Sequence, residues 1–186
     1  MKNTGKKFIE LLAPILLLSC FIPFLVLGFY CFPSLDDYSF ANITESYGYI
    51  GGQIHWYTTW TGRYFSTAIL SFSPALIYNF ALYHLVSLIL LMGSLHSIFF
   101  LIQSLNPKYN KWHAVLIALA AILSYLLFLP DVTEAFYWFP GSITYQLASV
   151  LATYLLAMGV RVESGSATRI PGWLLMSLLA FAIVGS

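Results

Sequence analysis

Long stretches without a charged residue restrict the fold of this chain more than any other feature of its sequence. The 186 residues are 60% hydrophobic and 8% charged, whereas a soluble globular domain carries about 25% charged residues. Several stretches are long enough to cross the hydrocarbon core of a bilayer, which takes about 20 apolar residues. The sequence therefore predicts an all-α membrane protein, a polytopic bundle of transmembrane helices with about five spans. We place these spans at about residues 9–31, 74–103, 112–130, 143–160 and 171–186.

The last span is the shortest of the five, and no polar anchor follows it. We therefore expect a single transmembrane domain that forms the N-terminal part of a longer protein.

The basic residues are distributed unevenly between the two sides of the predicted bundle. If the spans alternate in direction, Arg63 lies on one side with most of the acidic residues, in loops 32–66 and 131–142. Cytoplasmic loops of membrane proteins carry an excess of Lys and Arg. This predicts a cytoplasmic N-terminus and two outer loops. The basic residues on the cytoplasmic side are Lys2, Lys6, Lys7, Lys108, Lys111, Arg161 and Arg169.

The second half of the first outer loop has helical periodicity. Within Gln53–Phe65, Ile54, Tyr57 and Thr61 recur at helical spacing, and Trp and Tyr side chains follow an adjacent stripe. Because Trp and Tyr favour the headgroup layer, we expect this outer-face loop to carry an interfacial helix.

Two adjacent carboxylates open the same loop. A carboxylate beside hydrocarbon is costly, which makes Asp36 and Asp37 candidates for a general base, a metal ligand or an orienting group. Ser34 and Asp37 also fit the Ser-x-x-acidic pattern that begins helices. The residues alone leave catalysis and helix capping open.

Other candidates in the two loops also allow two interpretations. Arg63 suits a phosphate, because its planar donors bind bidentately, but it could equally anchor a span or pair with an acid. Glu134, Tyr137 and Trp138 could form a cleft that stacks on sugar rings, or an ordinary interfacial belt of aromatic residues. His55 is a weaker candidate for a ligand or an acid–base group.

Three motifs of this chain, taken in order, resemble those of a largely uncharacterised bacterial multi-pass family that is usually grouped with the GT-C superfamily of membrane glycosyltransferases. The resemblance covers roughly residues 1–160. The motifs are Ser34-Leu-Asp-Asp-Tyr-Ser39, Trp56-Tyr-Thr-Thr-Trp-Thr-Gly-Arg-Tyr-Phe-Ser66 and Glu134-Ala-Phe-Tyr-Trp-Phe-Pro-Gly-Ser-Ile-Thr-Tyr-Gln146.

The resemblance implies a sugar donor carried on a polyprenyl phosphate, and transfer to a glycan or lipid acceptor at the outer face of a bacterial inner membrane. It implies that Asp36 is the catalytic base, that Asp37 supports it, and that Arg63 holds the carrier phosphate. It allows a divalent metal, Mg²⁺ or Mn²⁺, at the two carboxylates. No nucleic-acid partner is expected. The expected substrate pocket contains Tyr38, His55, Trp60, Glu134, Tyr137 and Trp138.

Three functions remain as hypotheses. The first is an inverting, GT-C-type glycosyltransferase. The second is a transporter or flippase of lipid-linked substrates, although transport paths often place ionisable groups at mid-membrane and residues 11–30 and 74–103 contain no charged residue. The third is a non-catalytic assembly subunit whose acidic pair only caps a helix.

Overall fold

A computed structural model describes residues 2–73, 79–165 and 169–186 of the chain. Within these ranges all regular structure is helical, and four helical segments are long and apolar enough to cross a membrane. The predicted all-helical fold is confirmed and its long apolar helices suggest a membrane protein, while the count of about five spans stays a prediction. The helices are α1 Lys2–Leu27, α2 Asp36–Thr59, α3 Tyr64–Leu70, α4 Phe80–Leu105, α5 Lys111–Phe128, α6 Phe139–Gly141, α7 Leu147–Glu163 and α8 Arg169–Val184.

The apolar segments agree with the predicted spans within a few residues at most of their ends. The clearest difference is at the fourth span, which was predicted to begin at residue 143 and is already helical from Phe139. Residues 74–78, at the predicted start of the second span, lie outside the described residues. The four long segments are Leu12–Tyr30, Phe80–Leu105, Lys111–Phe128 and Phe139–Glu163, and Ile170–Val184 is a shorter apolar helix.

Helix α4 is the centre of the bundle. It packs against α5 and α7, while α1 packs against α5 and α8 against α7. The buried side chains between these helices are large and apolar, so close packing is the main contact that holds them together. The core cluster consists of Phe21, Leu90, Leu91, Leu119, Ile122, Leu123, Leu126 and Phe136.

A second layer covers one end of the bundle, which we call the loop face and define as residues 28–73 and 129–146. Its own buried cluster joins the end of α1 to α2, α3, the start of α4 and α6. The two loops predicted on one side therefore do lie together. The cluster consists of Cys31, Phe40, Leu70, Tyr83, Phe139 and Ile143.

The helix predicted over residues 53–65 has different bounds in the structure. Helix α2 begins at Asp36 and ends at Thr59, residues 61–63 are not helical, and α3 begins at Tyr64. Two carboxylates in the first turn favour the earlier start, because their negative charge interacts favourably with the positive N-terminal end of the helix dipole. At Gly48 the backbone has φ +69° and ψ 171°, so α2 is kinked there.

The C-terminal end of α8 contacts the start of α3. The Gly185 carbonyl oxygen accepts hydrogen bonds from the backbone N–H groups of Phe65 (2.7 Å) and Ser66 (3.0 Å). The Tyr64 hydroxyl donates to the Phe181 carbonyl oxygen at 2.6 Å. These bonds connect the loop face to the last described helix.

Basic side chains lie at the end of the bundle opposite the loop face. Lys108 and Lys111 lie in or next to the α4–α5 connection. Arg161, near the end of α7, donates from Nε to the Ser104 hydroxyl at 2.9 Å and lies over the Phe100 ring at 4.0 Å. The predicted separation of charge therefore follows from the order of the helices.

Candidate functional site

The acidic pair lies at the first turn of α2, where the backbone makes a sharp turn. Leu35, the residue before the helix, has φ +29°, a value that costs energy for a residue with a side chain. The Asp37 carboxylate accepts a hydrogen bond from the Ser34 N–H at 2.9 Å, and the Asp37 N–H donates to the Ser34 carbonyl oxygen at 2.8 Å. No side chain caps the helix from the Leu35 position. The Ser-x-x-acidic pattern therefore forms only its acidic half.

Asp37 is buried, with 1% of its surface exposed. Burial raises the pKa of this carboxyl above its usual range; the Ser34 N–H and the Tyr83 hydroxyl oppose the rise, and the neighbouring Asp36 charge adds to it. Asp37 is thus enclosed, and its main contact fixes the turn that precedes α2.

Asp36, in contrast to the buried Asp37, is accessible to solvent. It is partly exposed and lines a cleft of about 270 Å³ together with Ser39, Phe40, Trp56 and Trp60. Trp56 lies 4.5 Å from the Phe40 ring and 5.4 Å from Trp60, centroid to centroid. The Trp56 Nε1 is buried without a hydrogen-bond partner. One carboxylate thus borders a cleft with indole rings, an arrangement that can hold a hydroxyl group next to a stacked ring.

A second cavity, of about 530 Å³, lies on the other side of the acidic motif. Volumes of this size are typical of small-molecule sites. Its walls come from the end of α1, from the turn before α2 and from loop 131–142. The lining residues are Tyr30, Cys31, Phe32, Ser34, Leu35, Asp131, Thr133, Glu134, Tyr137 and Trp138.

Loop 131–142 is held in place by an unusual helical sequence. Two π-helical turns, Thr133–Tyr137 and Ser142–Gln146, flank α6, and π-helical turns are frequent at functional sites. The Asp131 carboxylate accepts from the Glu134 N–H at 3.0 Å, and the Tyr137 hydroxyl donates to the Phe24 carbonyl oxygen at 2.7 Å. The first bond closes the start of the first π-helical turn, and the second fixes its end to α1.

Gly141 allows the backbone of this loop to pass close to Glu134 and Trp138. A Cβ atom there would overlap the Glu134 carbonyl oxygen and would lie 2.9 Å from the Trp138 ring. Only glycine therefore permits the second π-helical turn to pack against the first.

The remaining predicted residues lie apart from the two cavities. Arg63, just before α3, lines neither of them; its guanidinium lies 5.4 Å from the centre of the Tyr145 ring. His55 stacks on Tyr47, with 5.4 Å between the ring centres. The Tyr38 side chain is 53% exposed and also lies outside both cavities.

The structure thus divides the predicted pocket in two. Asp36 and Trp60 share the cleft, while Glu134, Tyr137 and Trp138 share the cavity. Sequence reasoning did not place Trp56 or Asp131 in the pocket. A signal existed for Trp56, because it stands one helical turn before Trp60 and so shares its face.

The donor set at the acidic pair is a poor fit for a metal ion. Among the residues that the structure describes, no three His, Cys, Asp or Glu side chains cluster where they could hold one. One oxygen of Asp37 is already bonded to the Ser34 N–H, and the residue is enclosed. We therefore derive no step through a metal.

No family model, curated protein or solved structure matches this chain.

Proposed function

We propose that the protein is a membrane glycosyltransferase that moves a sugar from a polyprenyl-phosphate donor to a cell-envelope acceptor. The observation that carries the proposal is the position of Asp36, a partly exposed carboxylate at the edge of a cleft with two indole rings. Flat aromatic surfaces suit the apolar faces of sugar rings, and a nearby carboxylate suits a hydroxyl group. The cavity that contains Glu134 adds room for a second substrate on the other side of the motif.

The chemistry is a displacement at the anomeric carbon. Asp36 accepts the proton of the acceptor hydroxyl as the oxygen forms its bond to the anomeric carbon, and the bond from that carbon to the carrier phosphate oxygen breaks. The polyprenyl phosphate leaves with the bonding electrons, and the configuration of the sugar is inverted. The base must lie within hydrogen-bond reach of the hydroxyl, which the partly exposed Asp36 allows and the enclosed Asp37 does not.

Asp37 serves as a positioning residue in this proposal. Its carboxylate bonds to the Ser34 N–H and so holds the turn in which Leu35 has a positive φ. That turn separates the cleft from the larger cavity, because Leu35 lines the cavity and Asp36 lines the cleft.

Arg63 is proposed to bind the carrier phosphate. Among the described side chains it is the one Lys or Arg on the loop face, and none of its recorded contacts is an ion pair. An arginine without a carboxylate partner keeps its planar donors available for a phosphate. Because Arg63 lies beside Tyr145, the donor would approach from the side of α3 and the second π-helical turn.

The proposed location is the outer face of a bacterial inner membrane, with the N-terminus in the cytoplasm. The support is the charge asymmetry between the loop face, which has one arginine, and the opposite end of the bundle, where Lys108, Lys111 and Arg161 lie.

The proposal is tested with the Asp36→Asn variant in the full-length protein. Surface glycans and lipids of cells are compared by mass spectrometry between wild type, a deletion strain and the complemented strains. We expect the deletion to lose one sugar unit that wild type restores and Asp36→Asn does not, because the amide cannot accept the proton. The matched control is Glu45→Gln, an exposed acid on the same helix that lines neither cavity.

Equal restoration by Asp36→Asn and Glu45→Gln, at equal protein levels, would rule out Asp36 as the base. The non-catalytic assembly function would then be preferred. In that function the acidic pair only begins α2, and the bond to the Ser34 N–H is made by Asp37, which the Asp36→Asn variant keeps.

A further inference from the structure

The membrane-spanning part of the bundle contains a cavity with several polar side chains in its wall, which the proposed function does not use. It has a volume of about 170 Å³ and lies between α4, α5 and α7, beneath the second π-helical turn. Ser94 and Ser97 place it near the middle of the 26-residue α4. Its lining residues are Ser94, Ser97, Ile98, Ile122, Tyr125, Gln146, Ser149, Val150 and Thr153.

A hydrogen-bonded chain crosses the wall of this cavity. The Tyr125 hydroxyl donates to Gln146 Oε1 at 2.9 Å, and Gln146 Nε2 donates to the Ser94 hydroxyl at 2.9 Å. Ser94 in turn donates to the Leu90 carbonyl oxygen at 2.7 Å. This orientation of the Gln146 amide follows from the network. Because Ser94 donates its only hydrogen to the Leu90 carbonyl oxygen, its hydroxyl oxygen can only accept, so the Gln146 group that faces Ser94 is the NH2 and the group that faces Tyr125 is the carbonyl oxygen.

The network leaves hydrogen-bonding capacity directed at the cavity. Gln146 is only 3% exposed and carries two N–H bonds, of which one is donated to Ser94 and the other has no acceptor among the described residues. The oxygens of Tyr125 and Ser97 also keep free lone pairs. Hydrocarbon cannot satisfy any of these groups, and a buried polar group without a partner is costly in a membrane.

We infer that this cavity is a hydration site inside the membrane, occupied by several water molecules that complete the hydrogen bonds of Gln146 and Tyr125. A single water needs roughly 10–15 Å³ of such volume and two to four polar partners, and the cavity offers both. Tyr125 is 39% exposed and Ser149 is exposed, so the site opens at the surface between α5 and α7. The inference does not depend on glycosyl transfer.

The test measures how fast single cysteines react with a small water-soluble thiol reagent, methanethiosulfonate ethylammonium. The background protein carries Cys20→Ser and Cys31→Ser, since these are the described cysteines and both are free. Ser149→Cys and Thr153→Cys place the thiol in the cavity wall. The matched control is Leu156→Cys on the same helix, where the side chain is 64% exposed and lies outside the cavity.

We expect the two cavity cysteines to react at least about tenfold faster than Leu156→Cys in membranes, because the reactive thiolate forms only where water solvates it. Denaturation in detergent should make all three react alike, which shows that each variant is present and carries a reactive thiol. Equal slow rates in the membrane for all three would mean that lipid chains fill the cavity, and would overturn the inference.

A second variant tests the role of Gln146. Gln146→Leu removes the amide and keeps an apolar side chain of similar length, so the rate at Thr153→Cys should fall toward the Leu156→Cys control. An unchanged rate would show that Gln146 does not hold the water and would contradict this assignment.

Discussion

At the scale of the residue, Asp36 and Asp37 are neighbours with opposite environments. One is enclosed and bonded to the backbone, and the other borders a cleft. Consecutive residues at the start of a helix point in directions about 100° apart, so one side chain can turn inward while the next faces the solvent side. The sequence predicted the pair, but the residues alone did not show which carboxylate is buried, because two identical neighbouring side chains give no local signal that distinguishes them.

The pKa of Asp37 leads to a prediction about stability. A carboxyl whose pKa is raised by folding binds its proton more tightly in the folded protein than in the unfolded chain. Its stabilisation is therefore complete below the ordinary value of 3.8 and is lost as the pH rises through the raised folded value. Asp37→Asn should remove this loss, so its thermal midpoint should fall less between pH 4 and neutral pH than that of wild type.

The measurement is thermal unfolding of the purified protein in detergent across that pH range. Glu45→Gln on the exposed side of α2 is the control for removing one carboxylate anywhere on the helix. If Asp37→Asn and wild type have the same dependence on pH, burial of Asp37 does not govern the stability of the loop face.

At the scale of the element, the π-helical turns of loop 131–142 hold Glu134 and Trp138 at the larger cavity. Gly141→Ala should separate the two turns, because the added Cβ overlaps a backbone carbonyl that cannot move freely. Overpacking of this kind costs about 1–3 kcal/mol of stability. We expect a lower thermal midpoint and a changed tryptophan fluorescence spectrum as Trp138 is displaced.

Gly93→Ala is the matched substitution in the bundle. Its Cβ would lie 3.8 Å from Val150, an ordinary contact, and alanine favours the helix more than glycine does. It should leave stability unchanged or slightly higher. An equal loss of stability in both variants would show that the packing of Gly141 against Glu134 is not special.

The helices show which elements the sequence can predict. A long apolar stretch such as Lys111–Phe128 has one favourable structure in a membrane, and its predicted bounds of 112–130 were close. Helix α2 was only partly foreseen, because the part before Gln53 contains few apolar residues at helical spacing and includes Gly48. That part is fixed by tertiary contacts, among them buried Phe40 and the bond from the Tyr49 hydroxyl to the Ala68 carbonyl oxygen at 3.2 Å.

The same limit applies to the site. The continuous helix predicted over residues 53–65 would bring Arg63 and Trp60 within one turn of each other. The chain leaves the helix after Thr59, and Arg63 instead lies against Tyr145. The break of four residues between α2 and α3 depends on what each helix packs against, which local spacing does not encode.

At the scale of the whole molecule, the distribution of charge predicts the orientation in the membrane. In a background without Cys20 and Cys31, Glu45→Cys on the loop face should react with a membrane-impermeant maleimide added to intact cells. Lys108→Cys, at the opposite end of the bundle, should react only after permeabilisation, since basic loops remain in the cytoplasm. Both residues are exposed, so burial does not affect the comparison. The reverse labelling pattern would contradict the predicted orientation.

The bonds from α8 to α3 have a consequence for biosynthesis. Tyr64 and its partner Phe181 are 117 residues apart, a length that a ribosome adds in roughly 6–23 s at about 5–20 residues per second. Until then the first N–H groups of α3 lack the Gly185 carbonyl oxygen that accepts from them in the finished protein. The segment beside Arg63 is therefore translated early and completed late, so the loop face matures only when the last described helix has been inserted.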